Sequence, residues 1–266
     1  MSNDNVNTVR RLVIRVSRES LTFSTTEKSE VVYEAYPLNS SISMAANLRE
    51  ALRTSELLGK TYGKVLVMLG SPVLTIPTSL FREEEQEKQY RFTFTGQEQT
   101  VVMHTVLPDL NCVAIFSVQK DLLTVISDAF QQVRFIPVAA PVWHHLHQRS
   151  YTGTHKKLYT YFHDRQMEVF CFTQNRFKFS NSFAVNNPND ALYYLLGVWK
   201  QLALDPSYDE LYLSGDMREI EPLSTETQKF IKHVFVVNPS GEFNHAAITQ
   251  IKDIPYDLVT LYMKGL

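Results

Sequence analysis

The alternation of apolar and polar positions repeats one series of elements twice along the chain. Leu158–Phe162 is apolar and aromatic, as strands prefer, and His163–Gln166 is a polar break of hairpin length. Met167–Phe172 resumes the strand, Thr173–Asn175 turns it, and Arg176–Ser180 alternates with the period of a half-buried strand. Asn187–Asp190 offers N-cap chemistry for a helix over Ala191–Leu204, where Leu192, Leu195, Leu196, Trp199, Leu202 and Ala203 recur at helical spacing. Asp205-Pro206 ends that helix. Glu210–Ser214 reads as a short buried strand stopping at Gly215. A further helix is predicted from a Ser224 cap to His233, and a last strand over Val234–Val237.

A weaker copy of the series starts at Leu12. Strands are predicted at Leu12–Val16, Ser20–Ser24 and Val31–Tyr36, then a helix from Ser43 to Leu58 and a strand Val65–Leu69 ending at Gly70. Residues 71–107 have no counterpart in the second copy and read as an inserted subdomain. It holds Pro72 and Pro77, an acidic helix candidate with Glu83, Glu84, Glu85 and Glu87, and strand-like runs Tyr90–Thr95 and Thr100–Leu107. The first copy then continues with a strand Asn111–Phe116, a helix Gln119–Phe130, a strand Val133–Ile136 and a helix from Pro137 to about Arg149. The organisation expected is a tail over 1–10, a first lobe over 11–150 with its insertion, and a second lobe over 151–266. The apolar positions of the terminal stretch, Ile251, Ile254, Leu258, Leu261 and Tyr262, are expected to pack on the second lobe. The fold class is α/β: two lobes with mixed sheets and a cleft between them.

Composition narrows the function classes. With 44% hydrophobic and 12% aromatic residues in 266, the chain can bury a large core, which sets disorder aside. A formal net charge of −2 with no basic stripe argues against nucleic acid as the main partner. Cys112 and Cys171 lie in separate strand-like runs and read as buried free thiols. No run approaches the ~20 apolar residues of a membrane helix, and the N-terminus lacks an apolar signal core, so a soluble cytoplasmic protein is expected. His144 and His147 share a helical face, but no paired Cys or acid motif joins them, so no metal site is assigned. A two-metal nuclease needs carboxylates on neighbouring strands, and the first strand of either copy offers none.

The stretch Leu211-Tyr-Leu-Ser-Gly-Asp-Met217 followed by Glu221-Pro-Leu223 resembles the adenosine motif of the actin-like ATPase superfamily, a strand ending in Ser-Gly-Gly before a helix. Val113–Phe116 and Phe135-Ile-Pro137 are similar to that superfamily's course into its second lobe. Within the superfamily, whose core is a ribonuclease H-like sheet repeated twice, the pattern is similar to PilM- and FtsA-type proteins. It is also similar to an uncharacterised bacterial family assigned an actin-like ATPase fold, for which the resemblance implies a fold and no activity.

The resemblance implies two hairpins facing each other across the cleft, each reading Asp-x-Gly. Their carboxylates hold a divalent cation, and their glycines let backbone N–H groups reach phosphates. Laid on that pattern, Arg15 takes the first Asp position and Ser17 the Gly position; Tyr161 and His163 take the same positions in the second hairpin. Glu168 falls where a second acid belongs, and Asp164 is the acid that a small register shift would bring in. Ser214 and Gly215 keep the adenosine motif, and Asp216 replaces its second glycine. These nine residues are the nucleotide-cleft candidates, with no catalytic residue and no metal ligand among them. Because Arg15 cannot bind a cation, the expectation is a non-catalytic binding, assembly or scaffold protein with a protein partner and no cofactor. The alternative is a protein that binds Mg-ATP through unusual phosphate loops.

Overall fold

The computed structural model describes residues 10–173 and 176–265, apart from the side chains of Met217 and Glu219. Residues 1–9 of the expected tail, and Gln174 and Asn175 of the expected turn, lie outside the described residues.

The first unit opens with β1 (Arg11–Val16), β2 (Leu21–Glu27) and β3 (Glu30–Tyr36), an antiparallel meander. Helix α1 (Met44–Thr54) starts where the Ser43 side chain accepts the N–H of Ala46, and leads to β4 (Lys64–Leu69). An insertion follows: β5 (Leu74–Pro77), α2 (Gln86–Thr93), β6 (Thr100–Leu107) and β7 (Cys112–Gln119), its strands forming a separate antiparallel sheet ordered β5-β7-β6. Helix α3 (Lys120–Ala129) and β8 (Val133–Pro137) complete a sheet ordered β3-β2-β1-β4-β8, with β4 and β8 parallel to β1.

Helix α4 (Ala140–Ser150) leads into the second unit: β9 (Lys157–His163), β10 (Gln166–Thr173), β11 (Arg176–Ala184), α5 (Pro188–Gln201), β12 (Glu210–Gly215), α6 (Met217–Thr227) and β13 (His233–Val236). Its sheet runs β11-β10-β9-β12-β13, the same order and the same strand directions as the first. Two short segments, α7 (Pro239–Glu242) and α8 (Tyr256–Lys264), close the chain.

Each sheet is covered on both faces. On the first, Leu12, Ile14, Val16, Val65 and Val67 pack with α1 and α3, while Val13, Leu66, Met68 and Ile136 pack with Leu258 and Leu261 of α8. On the second, Leu158, Phe162, Leu211 and Leu213 pack with α5 and α6, while Tyr159, Tyr161 and Phe170 meet Trp143 of α4 with Tyr256 and Val259 of α8. The central strands are therefore buried runs rather than half-exposed alternations. Helices α4 and α8 pack together between the two sheets.

Four expectations change. The stretch Tyr90–Thr95 is not a strand: α2 runs through it, with Arg91 bonded to Glu87 one turn earlier at 2.8 Å and Tyr90 pinned by hydrogen bonds to Pro72 O and Ser117 Oγ. The predicted helix from Ser224 to His233 instead begins after Asp216, whose side chain accepts the N–H of Arg218, because Ile220, Leu223 and Thr227 form the buried stripe. The strand after Asn111 belongs to the insertion's sheet, though its Phe116 and Val118 reach the core beneath α3 and tie the insertion to the first lobe. The terminal helix α8 packs on both lobes, because it carries apolar residues toward each sheet.

Gly215 ends β12 with φ +110°, and a Cβ there would lie 2.1 Å from Phe162 O on the neighbouring β9. Both features bar any other residue. Gly215→Ala is expected to destabilise the fold by more than ~1 kcal/mol, read as a lower urea midpoint at unchanged m-value; an unchanged midpoint contradicts the constraint.

Candidate functional site

The two copies place equivalent positions opposite each other. In the first, the Gly70 N–H donates to Val16 O at 2.8 Å; in the second, the Asp216 N–H donates to Phe162 O at 3.0 Å. Arg15 pairs in register with Met68 and Tyr161 with Ser214, so Arg15 and Tyr161 are counterparts one residue before the ends of the two parallel ladders. Both side chains point between the sheets and reach the same carboxylate, Asp257 in the first turn of α8. Arg15 Nε lies 3.1 and 2.8 Å from its two oxygens, and Tyr161 donates its hydroxyl to Oδ2 at 2.6 Å. Arg15 is 2% exposed and Asp257 0%, so this is a charge pair removed from water.

The two hairpins also touch directly. The β9–β10 turn has φ +47° at Asp164 and +57° at Arg165, the positive pair of a tight hairpin whose twist suits its strands. It projects Asp164 toward the first hairpin. There Oδ2 accepts from Arg15 Nη2 at 2.9 Å and Oδ1 from Ser20 Oγ at 3.2 Å. Ser20 Oγ in turn accepts from Arg15 Nη1 at 2.6 Å and lies 2.8 Å from Ser17 Oγ. Outside this layer Arg165 Nε stands 3.3 Å from Glu19 Oε1. Behind it His163 sits between two acids, Nδ1 at 3.3 Å from Asp164 Oδ2 and Nε2 at 3.5 Å from Glu168 Oε1.

Burial and charge set the protonation states. Burial works against the charge of Arg15, but Asp257 and Asp164 outweigh it and hold the guanidinium charged. Burial also opposes the charge of His163, and its two acid neighbours more than compensate, pushing it up to about 9. Burial would raise Asp164, yet the hydrogen bond from His163 and the charge of Arg15 hold it well below the usual carboxylate range. Tyr161 is pushed well above its ordinary value, by burial first and then by Asp257, so it stays a hydroxyl donor.

Six of the nine candidates, Arg15, Ser17, Tyr161, His163, Asp164 and Glu168, therefore meet in one network spanning the lobes. Ser214 is buried and donates its hydroxyl to Thr160 O at 2.6 Å, within its own sheet. Gly215 is filled against β9, and Asp216 caps α6. Four participants were not among the candidates: Glu19, Ser20, Arg165 and Asp257. Asp257 had a weak signal, a lone acid in the first turn of an apolar helix, which also reads as an acid favourable to the helix dipole.

Other features noted in the sequence lie apart from this network. His144 faces Asp109 at 3.1 Å and His145 faces Glu242 at 3.0 Å, while Cys112 and Cys171 are buried free thiols raised by burial to about 12 and about 11. A pocket of about 660 Å³ opens beside the first hairpin, between Leu38, Ile42 and Met44 of the first lobe and Gln97 and Ser117 of the insertion. Among the described residues no helix is long and apolar enough to cross a membrane.

A doubled β3-β2-β1-β4-β8 sheet with helices between and outside defines the actin-like ATPase fold, and solved structures agree. A Bacteroides thetaiotaomicron protein described as having an actin-like ATPase fold and unknown function is 29% identical, over 95% of this chain and 100% of that one, with a TM-score of 0.81. The PilM–PilN type IV pilus biogenesis complex contains a chain 11% identical, over 96% of this chain and 97% of that one, with a TM-score of 0.58. The chain belongs to the family described as "Protein of unknown function (DUF3822)", whose match spans residues 3–234. No curated protein matches the chain.

Two outcomes follow from the network. Arg15→Met leaves Asp257 buried with only the Tyr161 hydroxyl, and is expected to cost about 3–5 kcal/mol in urea unfolding; a loss under ~1 kcal/mol contradicts the pairing. For pH, the raised His163 contributes stability that is complete below its ordinary 6.5 and lost as pH rises through about 9. The depressed Asp164 contributes stability present above its ordinary 3.8 and lost as pH falls toward its folded value. Wild type should thus lose stability between pH 6.5 and about 9, and His163→Asn should flatten that slope; equal slopes contradict the assignment.

Proposed function

We propose that this protein is a non-catalytic member of the actin-like fold that acts by binding a protein partner, its lobes joined by side chains rather than by a nucleotide. The observation that carries this reading is the bridge from Arg15 to Asp257 and Asp164, built at the hairpin positions where the resemblance puts cation-holding carboxylates. All three guanidinium nitrogens of Arg15 are engaged. Phosphate could enter between the hairpins only by displacing Asp164 or Asp257, leaving a carboxylate in place without its cation, at a cost of about 3–5 kcal/mol if buried. A divalent cation there would also face the Arg15 charge at close range.

Partner binding rests on the surface beside the first hairpin. The pocket between the first lobe and the insertion sets apolar side chains such as Leu38, Ile42 and Leu122 beside amides, hydroxyls and the charged Arg18 and Glu19, a mixed lining suited to recognition. The PilM–PilN complex, in which a chain of this fold is part of a two-protein assembly, is consistent with that use of the fold. Calorimetric titration with Mg-ATP tests the nucleotide half of the reading. The expected result is no saturable binding up to about 1 mM, and no rise in melting temperature, where ligand at 100 times its dissociation constant would add ~2.7 kcal/mol. A micromolar dissociation constant that is lost in Glu168→Ala assigns the chain to the ATP-binding alternative instead.

A further inference from the structure

At the end of β1 away from Arg15 the first sheet collects cations. Arg11 of β1 lies in register with Lys64 of β4, and Leu66 of β4 lies in register with Arg134 of β8. Register partners share a sheet face, and so do residues two apart on one strand. Arg11, Lys64 and Arg134 therefore leave the sheet on one face, the face that carries Val13, Leu66 and Met68 beneath α8. Farther along that face α8 covers the sheet; here all three side chains are exposed. With Gln131 and Gln132 they line a pocket of about 520 Å³.

Among the described residues no Asp or Glu lines this pocket. Asp257, on the helix that covers this face, is paired with Arg15, and Glu27 is paired with Lys60. Like charges side by side across a sheet are destabilising, and no acid in the lining offsets them. The proximity is felt: the ordinary value of Arg11 is lowered, first by burial of part of its side chain and also by the charge of Arg134, with Tyr262 acting the other way. Two guanidinium forks and an ammonium around one concavity, with two side-chain amides beside them, make a donor set with no acceptor charge of its own.

We propose that this pocket binds a small multivalent anion of the phosphate class, of di- or triphosphate size. The site is separate from the interlobe cleft: it sits at the starts of β1, β4 and β8, whereas the Arg15 network sits at their ends. Its volume lies in the range of small-molecule sites. The guanidiniums of Arg11 and Arg134 can each take two oxygens, and Lys64 supplies a point charge.

The test is calorimetry on the full chain with sodium tripolyphosphate near physiological salt, with citrate as the carboxylate arm and an acidic peptide as the macromolecular one. The expected result is a dissociation constant below about 1 mM for tripolyphosphate, weakened at least about tenfold in Arg11→Ala/Arg134→Ala and unchanged in Arg176→Ala, a control for exposed charge elsewhere. The charged ends removed in the double variant lie at the surface, and an unliganded melting temperature equal to or above that of wild type shows that it is folded. Affinity weaker than about 1 mM, an equal loss in the control, or tighter binding of citrate or of the peptide than of tripolyphosphate overturns the proposal.

Discussion

One carboxylate holds the middle of this molecule. Asp257 accepts from Arg15 of the first sheet and from Tyr161 of the second, so the two copies of the repeat meet at one side chain on a helix that belongs to neither sheet. Taking that charge out of water is expensive, and a buried ion pair is by itself weak evidence of stability. Its effect here is to fix geometry. Arg15 is held by Asp257 on one side and by Ser20 and Asp164 on another, and Asp164 is held by Arg15, Ser20 and His163. Removing any one member leaves a charge or donor without its partner, so the network specifies one placement of the hairpins more strongly than it stabilises the fold.

The repeat also explains why the first strands of the two sheets meet at one acceptor. Arg15 and Tyr161 occupy equivalent places and answer the same acceptor. An arginine at one place without the acid on α8 would be a buried lone charge, and the acid without the arginine would be equally costly. Arg15 and Asp257 are thus physically coupled, and the hairpin turn at Asp164 and Arg165, with its positive φ angles, adds a second contact between the same hairpins.

Much of this architecture could be read from the chain because the signals were local. Short apolar and aromatic runs, an apolar stripe over α5 and the break at Asp205-Pro206 are properties of neighbouring residues, and they locate most strands and helices. The counterpart relation of Arg15 and Tyr161 was also legible, since it follows from counting along two similar strands. What escaped depended on distant contacts. Tyr90 reads as a strand residue until Pro72 and Ser117 are seen to pin it in a helix. The helix after Gly215 looked delayed to Ser224 because its start rests on one Asp216 cap and a stripe broken by Pro222. The role of Asp257 is hidden in the sequence behind an ordinary first-turn acid, because its partner Arg15 is 242 residues away.

A double-mutant cycle between Arg15 and Asp257 addresses the bridge most directly, using Arg15→Met, Asp257→Leu and the pair, each measured by urea unfolding. The bridge predicts that each single change is costly, because it strands a buried partner, and that the pair recovers most of the loss, with a coupling of at least about 2 kcal/mol. Single losses that add to within about 0.5 kcal/mol would show that the two residues do not depend on each other, and that the lobes are joined by something else.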